Sequence, residues 1–183
     1  MRLILAAGLW LLPLLAWGAN EPQVQVQRQE GRYSVRVDTA IAAPPERVLA
    51  VLQDYEHLGR LHKSVLESRI LEQHARGARV QVRLRGCVLF FCTEMEEVLD
   101  YDASPDGSWL TATIEPSDTG FRSGRMRWDL EEAPQHRSRL RYQAELEPAF
   151  WVPPLLGPWM LKRSLRQLAL DMTASLNRLV SVP

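Results

Sequence analysis

The chain has 183 residues, a length typical of one domain with a substantial core. Hydrophobic residues make up 46% of it and charged residues 24%, values of an ordinary globular protein that exclude an intrinsically disordered chain. Lysine and arginine together number 22, as do aspartate and glutamate, so the formal net charge is zero. Because a nucleic-acid-binding domain is expected to be basic, we expect no nucleic-acid partner.

The first residues form a pattern typical of a secretory leader. Arg2 supplies a positive charge, residues 3–15 form an apolar run, and the small residues Ala16 and Gly18 follow. The run is shorter than the roughly 20 apolar residues that a membrane-spanning helix needs. The pattern therefore predicts a signal peptide over 1–18, cleaved after Gly18, and an exported, periplasmic protein. An uncleaved signal anchor is the alternative.

Two cysteines, Cys87 and Cys92, are the only ones in the chain. In an oxidising compartment such a pair can form a disulfide. A straight strand would separate their Cα atoms by about 16 Å, well beyond disulfide range, so a bond requires the chain to reverse over residues 88–91. The alternative is two reduced thiols on one strand. No histidine lies nearby, and we expect neither a metal site nor a cofactor.

Hydrophobic periodicity divides the rest of the chain. Residues 19–30 are polar and are expected to form a loosely ordered start, so the folded domain is placed at 31–183. Apolar residues at helical spacing after Pro44 and Pro45 predict a short helical pair. Alternation of apolar and polar residues predicts about seven strands, at roughly 33–41, 65–72, 79–85, 93–101, 110–114, 125–130 and 139–147.

A long C-terminal helix is predicted over about 158–179. Short turns between the strands predict antiparallel pairing, and each strand has one apolar face. These apolar faces and the helix stripe must cover one another. The order therefore predicts an α+β fold in which a curved antiparallel sheet wraps around the last helix. The helix stripe consists of Leu161, Leu165, Leu168, Met172, Leu176 and Leu179.

Several segments together resemble a known superfamily. They are Ala43–Val48, Val51–Leu58, Ser64–Leu71 and Gly124–Leu130, followed by a proline-led final helix. In order and spacing they resemble the START-like (SRPBCC) superfamily, in particular its polyketide cyclase/lipid-transport and coenzyme Q-binding groups. The resemblance covers about residues 31–180 and implies the helix-grip fold. It also implies a cavity that takes a lipid, isoprenoid, quinone or polycyclic molecule, without implying catalysis.

Inward-facing side chains are the candidates for a cavity wall. Flexible methionines and flat aromatics adapt to an irregular apolar guest, although such stripes are more often plain core. The candidates are Leu84, Met126, Trp128, Tyr142, Leu165, Leu168 and Met172.

Two apolar segments have the composition of loops. Phe90 and Phe91 lie between the cysteines, and Phe150 and Trp151 precede the last helix. Exposed apolar loops need a partner, so we expect these residues to form a cavity mouth or to contact a membrane transiently. The alternative is that the segments pack on each other.

No residue set indicates catalysis strongly. His57 and His62 lie near Asp54 and Glu56, but no nucleophile with an oriented base is evident. We therefore expect an exported carrier of a hydrophobic small molecule. The alternatives are a cyclase- or hydrolase-type enzyme using the same cavity, and a protein-interaction module whose cavity is filled. Arginines on the outer strand faces form either a basic patch for lipid headgroups or ion pairs across strands.

Overall fold

The structure is a computed structural model that describes residues 22–88, 91–118, 120–152 and 155–181. The predicted signal peptide over 1–18 lies outside these residues. The described residues contain two α-helices, α1 (Pro45–Leu52) and α2 (Gly157–Ser181), and a 3-10 segment that covers Tyr55–Arg60. The strands are β1 (Gln23–Gln29), β2 (Arg32–Ile41), β3 (Val65–Gln73), β4 (Gly77–Val88), β5 (Phe91–Ala103), β6 (Trp109–Ile114), β7 (Phe121–Ala133) and β8 (Arg137–Pro148).

All strands belong to one antiparallel sheet with the order β1-β2-β8-β7-β6-β5-β4-β3. The predicted α+β helix-grip class is confirmed. The predicted count of about seven strands is one too low, because residues 23–29 form edge strand β1 instead of the loosely ordered start that we expected. Glu30 and Gly31 adopt positive φ angles of 50° and 85°, the geometry of a two-residue hairpin turn that pairs β1 with β2.

Edge strand β1 is held by α2 as well as by β2. Val24 is buried in a cluster with Val35, Val37 and Ala169. Arg166 of α2 donates a hydrogen bond to the Val24 carbonyl oxygen at 2.5 Å. The glutamines that made this segment look unstructured alternate with valines that face α2. Burial of these valines therefore decides the conformation of the segment.

The main core lies between the inner sheet face, α1, the 3-10 segment and the C-terminal half of α2. Alternation along β2 and β8 places their apolar residues inward, as predicted. Helix α2 spans 25 residues, about 37 Å at 1.5 Å per residue. Its buried residues include the small side chains Ala169, Thr173 and Ser175. None of the helices in the described part of the chain is long and apolar enough to cross a membrane.

Ion pairs cover the outer sheet face. Arg79 makes two hydrogen bonds to Glu115, at 2.7 and 2.8 Å, and Arg139 makes two to Asp38. Arg85 pairs with Glu94 at 2.5 Å. Such exposed pairs stabilise the fold little, but they neutralise much of the charge that a basic patch would need. The structure thus favours ion pairs across strands over a basic patch.

Strand direction gives the sheet two distinct ends. The β4–β5 turn, the β6–β7 connection and the β8–α2 connection all lie at one end, which we call the hairpin end. The N-terminus of α2 lies there too, because α2 follows β8. Helix α1 lies at the opposite end, where Ala42 donates its backbone N–H to Asn177 near the C-terminus of α2.

Candidate functional site

A small apolar space lies beneath α2, against the sheet. Its volume is about 30 Å³. It is bordered by strands β2, β7 and β8, by α1, by the end of the 3-10 segment and by α2, so six elements contribute to its wall. The lining residues are Val37, Leu52, Leu61, Trp128, Leu140, Tyr142, Ala169, Met172, Thr173 and Leu176.

Three of the seven predicted wall residues, Trp128, Tyr142 and Met172, line this space. The other four lie around it. Met126 and Leu84 pack at the edge of the main core, and Leu165 packs with the β1–β2 valines. Leu168 is half-buried and belongs to neither cluster. The helical period alone could not distinguish the α2 residues that line the space from those beside it. The rotation of α2 about its axis, relative to the sheet, decides which residues face the space.

Four aromatic rings form a continuous row along the inner face. Ring centroids are 4.6 Å apart for Tyr55 and Tyr101, 6.5 Å for Tyr101 and Trp128, and 5.1 Å for Trp128 and Tyr142. Burial raises the pKa of Tyr55 to about 12 and also raises the pKa values of Tyr101 and Tyr142. All three phenols are therefore neutral at physiological pH, and Tyr142 presents a flat, weakly polar surface to the space.

The size of the space limits what it holds in this conformation. A volume of about 30 Å³ accommodates roughly one water molecule, since a water needs about 10–15 Å³. Sites for small organic ligands are commonly about 300–1,000 Å³. A lipid-sized guest therefore requires α2 or the β8–α2 connection to move away from the sheet.

A larger concavity, about 190 Å³, lies on the outer sheet face. Arg69, Gln81 and Glu96 form a chain of hydrogen bonds across it, at 2.6 and 3.0 Å. Arg83 pairs there with Glu67 at 2.9 Å. Its wall consists of charged and polar side chains that are exposed and already bonded to one another, so it does not suit an apolar ligand.

The structure contains the Cys87–Cys92 disulfide, with a Cα–Cα distance of 4.0 Å. Strand β4 ends at Val88 and β5 begins at Phe91, so the chain reverses where the geometry of a disulfide required it. The two cysteines face each other across the strand pair. Phe90 and the side chain of Phe91 lie outside the described residues, so their role at a mouth stays a prediction.

Apolar side chains are exposed at the hairpin end. Trp151 is 78% exposed, Leu155 93%, Leu156 65% and Trp159 62%. Phe150, by contrast, is half-buried, with its ring centroid 6.2 Å from that of Phe121. We call Trp151, Leu155, Leu156 and Trp159 the apolar patch. The sequence pattern assigned Trp159 to the last helix but did not predict its exposure. An exposed and a buried tryptophan at the start of a helix give the same local sequence pattern.

Glu97 is a functional candidate that the sequence analysis missed. It is 1% exposed and lies between Met95 and Leu99 on the inner face of β5. Its Oε1 accepts the Phe121 backbone N–H at 3.1 Å, whereas Oε2 has no hydrogen-bond partner. Burial raises the pKa of Glu97 to about 7. The alternation of β5 was a usable signal, since it places position 97 on the apolar face.

The histidine–carboxylate groups lie away from the space beneath α2. Asp54 hydrogen-bonds His57 at 2.7 Å and Arg60 at 3.1 Å on the surface. His62 is largely buried, and its Nε2 lies 3.6 Å from Asp171 of α2. Desolvation lowers the pKa of His62, although Asp171 opposes this, which favours the neutral imidazole.

Ser64 approaches the other nitrogen of the His62 ring. The Ser64 backbone N–H donates to His62 Nδ1 at 3.0 Å, and the Ser64 hydroxyl lies 2.5 Å from the same atom. A tight local turn explains both contacts, and neither His62 nor Ser64 lines the space. Within the described residues, no group of three or more His, Cys, Asp or Glu side chains is arranged to hold a metal ion.

An antiparallel sheet that grips a long C-terminal helix over an apolar interior defines a START-like helix-grip protein. The chain belongs to the family described as polyketide cyclase / dehydrase and lipid transport, which it matches over residues 32–182. Nearly the whole folded domain is therefore accounted for by this family. Among curated proteins, none matches the chain.

Solved structures show the same fold at low sequence identity. The Zhui aromatase/cyclase from a Streptomyces species is 15% identical, with a TM-score of 0.67 over 82% of this chain and 94% of that one. A STAR-related lipid transfer protein from Xanthomonas axonopodis is 14% identical, with a TM-score of 0.62 over 88% and 99%. A START superfamily protein from Mycobacterium smegmatis is 14% identical, with a TM-score of 0.64 over 80% and 98%.

Proposed function

We propose that this protein is an exported carrier that holds a hydrophobic small molecule between its sheet and α2. The observation that carries the proposal is the apolar space beneath α2, which is lined by Trp128 and Tyr142 of the aromatic row and by Met172. Met172 has three flexible torsions and adapts to guests of different shapes. The family description, which names lipid transport, supports the same class of ligand.

The proposal requires the interior to open. Ala169 and Thr173 are small side chains on the part of α2 that lines the space, so the contact between helix and sheet is least interlocked there. The β8–α2 connection carries the exposed Trp151 and Leu155, so it is not packed into the core. We expect the ligand to enter at the hairpin end, where this connection can shift without disturbing the sheet.

Export is part of the proposal. The leader pattern over residues 1–18 supports it, as does a disulfide between the only two cysteines in the chain. Disulfides persist in oxidising compartments and are rare in the cytosol. We therefore propose that the mature protein begins after Gly18 and, if the source is a Gram-negative bacterium, is periplasmic.

The proposal also includes contact with a membrane while the ligand is transferred. The apolar patch exposes two tryptophans, the residue type that prefers the headgroup region of a bilayer. Lys162 and Arg163 follow in the first turns of α2, and the Arg163 guanidinium lies 5.8 Å from the Trp159 ring centroid. Basic groups beside an apolar surface favour anionic lipid headgroups.

One observation favours a second function. The space of about 30 Å³ is small for a carrier, so a protein-interaction module with a filled interior is the alternative. An enzyme acting in the interior has less support, because Asp54 and His57 lie on the surface and His62 does not line the space.

The deciding experiment is native mass spectrometry of the mature protein from an exported preparation, with lipid extraction of the same sample. We expect an apolar molecule bound at close to one per protein. A clean ligand-free mass, together with no thermal shift on addition of lipids or quinones, would overturn the carrier proposal and favour the interaction module.

A further inference from the structure

The interior contains one carboxyl group that the fold uses only in part. Glu97 is 1% exposed, and only Oε1 has a partner, the Phe121 backbone N–H. Burying an ionisable group with an unpaired oxygen destabilises a protein. A glutamine would accept the same backbone bond without burying a group that can ionise. The packing and hydrogen bonds of the fold therefore do not explain why position 97 has a carboxyl group with a free oxygen.

The chain leaves room for this carboxyl group. Gly120 lies beside it, and a Cβ atom added there would lie 1.4 Å from Glu97 Oε1. That contact is impossible, so any other residue at position 120 would displace the carboxyl group. The side chain of Met95 lies on the other flank, with its sulfur 3.4 Å from the same added Cβ position. Backbone and side chains thus form a fitted niche for the acid.

The niche lies toward the end of the protein where we expect the ligand to enter. Strand β6 stops at Ile114, and the connection to Phe121 then passes beside Glu97. The Phe121 ring contacts Phe150, which leads into the exposed Trp151. Glu97 is on the inner face of β5 and does not line the space beneath α2. A guest that extends from that space across the inner sheet face toward the hairpin end would bring its polar end to Oε2.

The chemistry of Oε2 restricts the group that can meet it. A carboxylate on the ligand would be repelled by the ionised form, and a carbonyl oxygen would pair only with the protonated form. A hydroxyl group both donates and accepts, so it pairs with Glu97 in either protonation state. Its hydrogen bond to the ionised form would be charge-assisted and short.

We infer that Glu97 anchors the polar end of the ligand, and that this ligand is an apolar molecule with one hydroxyl group, such as a long-chain or polycyclic alcohol. The inference rests on the proposed carrier function and specifies its ligand. Trp128, Tyr142 and Met172 would surround the apolar body, and Glu97 Oε2 would bind the hydroxyl.

The test compares 1-decanol with 1-chlorodecane, which has nearly the same size but no hydroxyl group. Displacement of the apolar fluorophore N-phenyl-1-naphthylamine from the mature protein reports both affinities. We expect the alcohol to bind at least tenfold more tightly, the effect of one hydrogen bond to a buried charged group. In Glu97→Leu the preference should disappear, because neither probe can then form this hydrogen bond.

Gly120→Ala supplies an independent second variant, because it displaces the carboxyl group without removing it. We expect it to lower the preference for the alcohol as well. Equal affinities of the two probes for the wild-type protein, or an unchanged preference in a folded Glu97→Leu protein, would overturn the assignment of Glu97. If neither the fluorophore nor either probe binds the wild-type protein, the carrier proposal itself fails, and this inference fails with it.

Discussion

Single buried polar atoms distinguish this interior from an ordinary apolar core. The hydroxyl groups of Tyr33 and Tyr55, Glu97 Oε2 and Arg137 Nε lack hydrogen-bond partners within the described part of the chain. Each such atom costs roughly 1–3 kcal/mol relative to a paired one. Glu97 is the most consequential of them, since its charge state changes within the physiological pH range.

The raised pKa of Glu97 predicts how stability depends on pH. Its unfolded value is 4.5 and its folded value about 7, so the folded state binds the proton more tightly. The stabilisation is complete below pH 4.5 and is lost as the pH rises through 7. At about 1.4 kcal/mol per pKa unit, the loss is about 3 kcal/mol. Urea unfolding between pH 4 and pH 8 measures it.

Glu97→Gln is the matching variant, because it keeps the acceptor for Phe121 but cannot ionise. We expect it to remove this part of the pH dependence. Glu96→Gln is the control, since Glu96 is exposed on the opposite face of β5 and bonds only to Gln81 there. A pH profile that Glu97→Gln leaves unchanged would contradict the assigned pKa.

At the scale of elements, the hairpin end is built from short, separately constrained pieces. The β4–β5 turn is closed by the Cys87–Cys92 disulfide, and the β8–α2 connection is held by the Phe121–Phe150 contact. The rest of that connection exposes large apolar side chains. One side of the proposed entrance is therefore fixed, and the other is free to shift.

The disulfide is expected to contribute modestly, because the loop it closes is short. In the chain-entropy account, a loop of this length is worth about 2 kcal/mol. The double variant Cys87→Ser/Cys92→Ser should therefore unfold at lower urea concentration. Reducing agent should destabilise the wild-type protein to the same level and leave the double variant unaffected. Equal stability of both proteins under oxidising conditions would show that the bond does not form.

The apolar patch should govern binding to membranes. Replacing Leu155 and Trp159 with serine removes two side chains that are 93% and 62% exposed. We expect sedimentation with anionic vesicles to fall severalfold, while the unfolding midpoint stays within experimental error, because neither side chain is in the core. Leu71→Ser is the control, since Leu71 is 43% exposed on β3, away from the patch. Equal sedimentation of all three proteins would argue against membrane contact.

At the scale of the whole molecule, the proposed carrier function depends on the fit between α2 and the sheet. Helix α2 is hydrogen-bonded to the rest of the molecule near its middle, through Arg166 to Val24, and near its C-terminus, through Asn177 to Ala42. Between these points Ala169, Met172, Thr173 and Leu176 line the apolar space. We expect α2 to shift away from the sheet when a ligand enlarges that space.

Filling the space tests whether it is the binding site. Met172→Trp places a larger ring in its wall, and we expect ligand occupancy in native mass spectrometry to fall at least tenfold. Met160→Trp is the matched control, with the same change on the same helix outside the lining. Equal occupancy in both variants would place the ligand elsewhere.

Local periodicity determined most of the architecture. Period-two alternation in β2, β4 and β8 and the helical stripe of α2 are properties of neighbouring residues, so strand faces, the α+β class and the family resemblance were all predictable. The chain reversal between Cys87 and Cys92 followed from the geometry of a disulfide. Strand β1 was missed because its polar residues outweigh two valines whose burial depends on α2.

The sequence by itself thus determined the fold class and the apolar inner face, and it required a chain reversal if Cys87 and Cys92 are bonded, since each of these depends on residues close together in the chain. Only the tertiary structure decided that the space beneath α2 measures about 30 Å³, because that volume depends on how a whole helix lies against five other elements. Only the tertiary structure showed the hydrogen bond from the Phe121 backbone to Glu97, because residues 24 positions apart meet where β6 ends and β7 begins. Both the volume and this hydrogen bond result from packing across the sheet, and the spacing of apolar residues along one segment does not encode that packing.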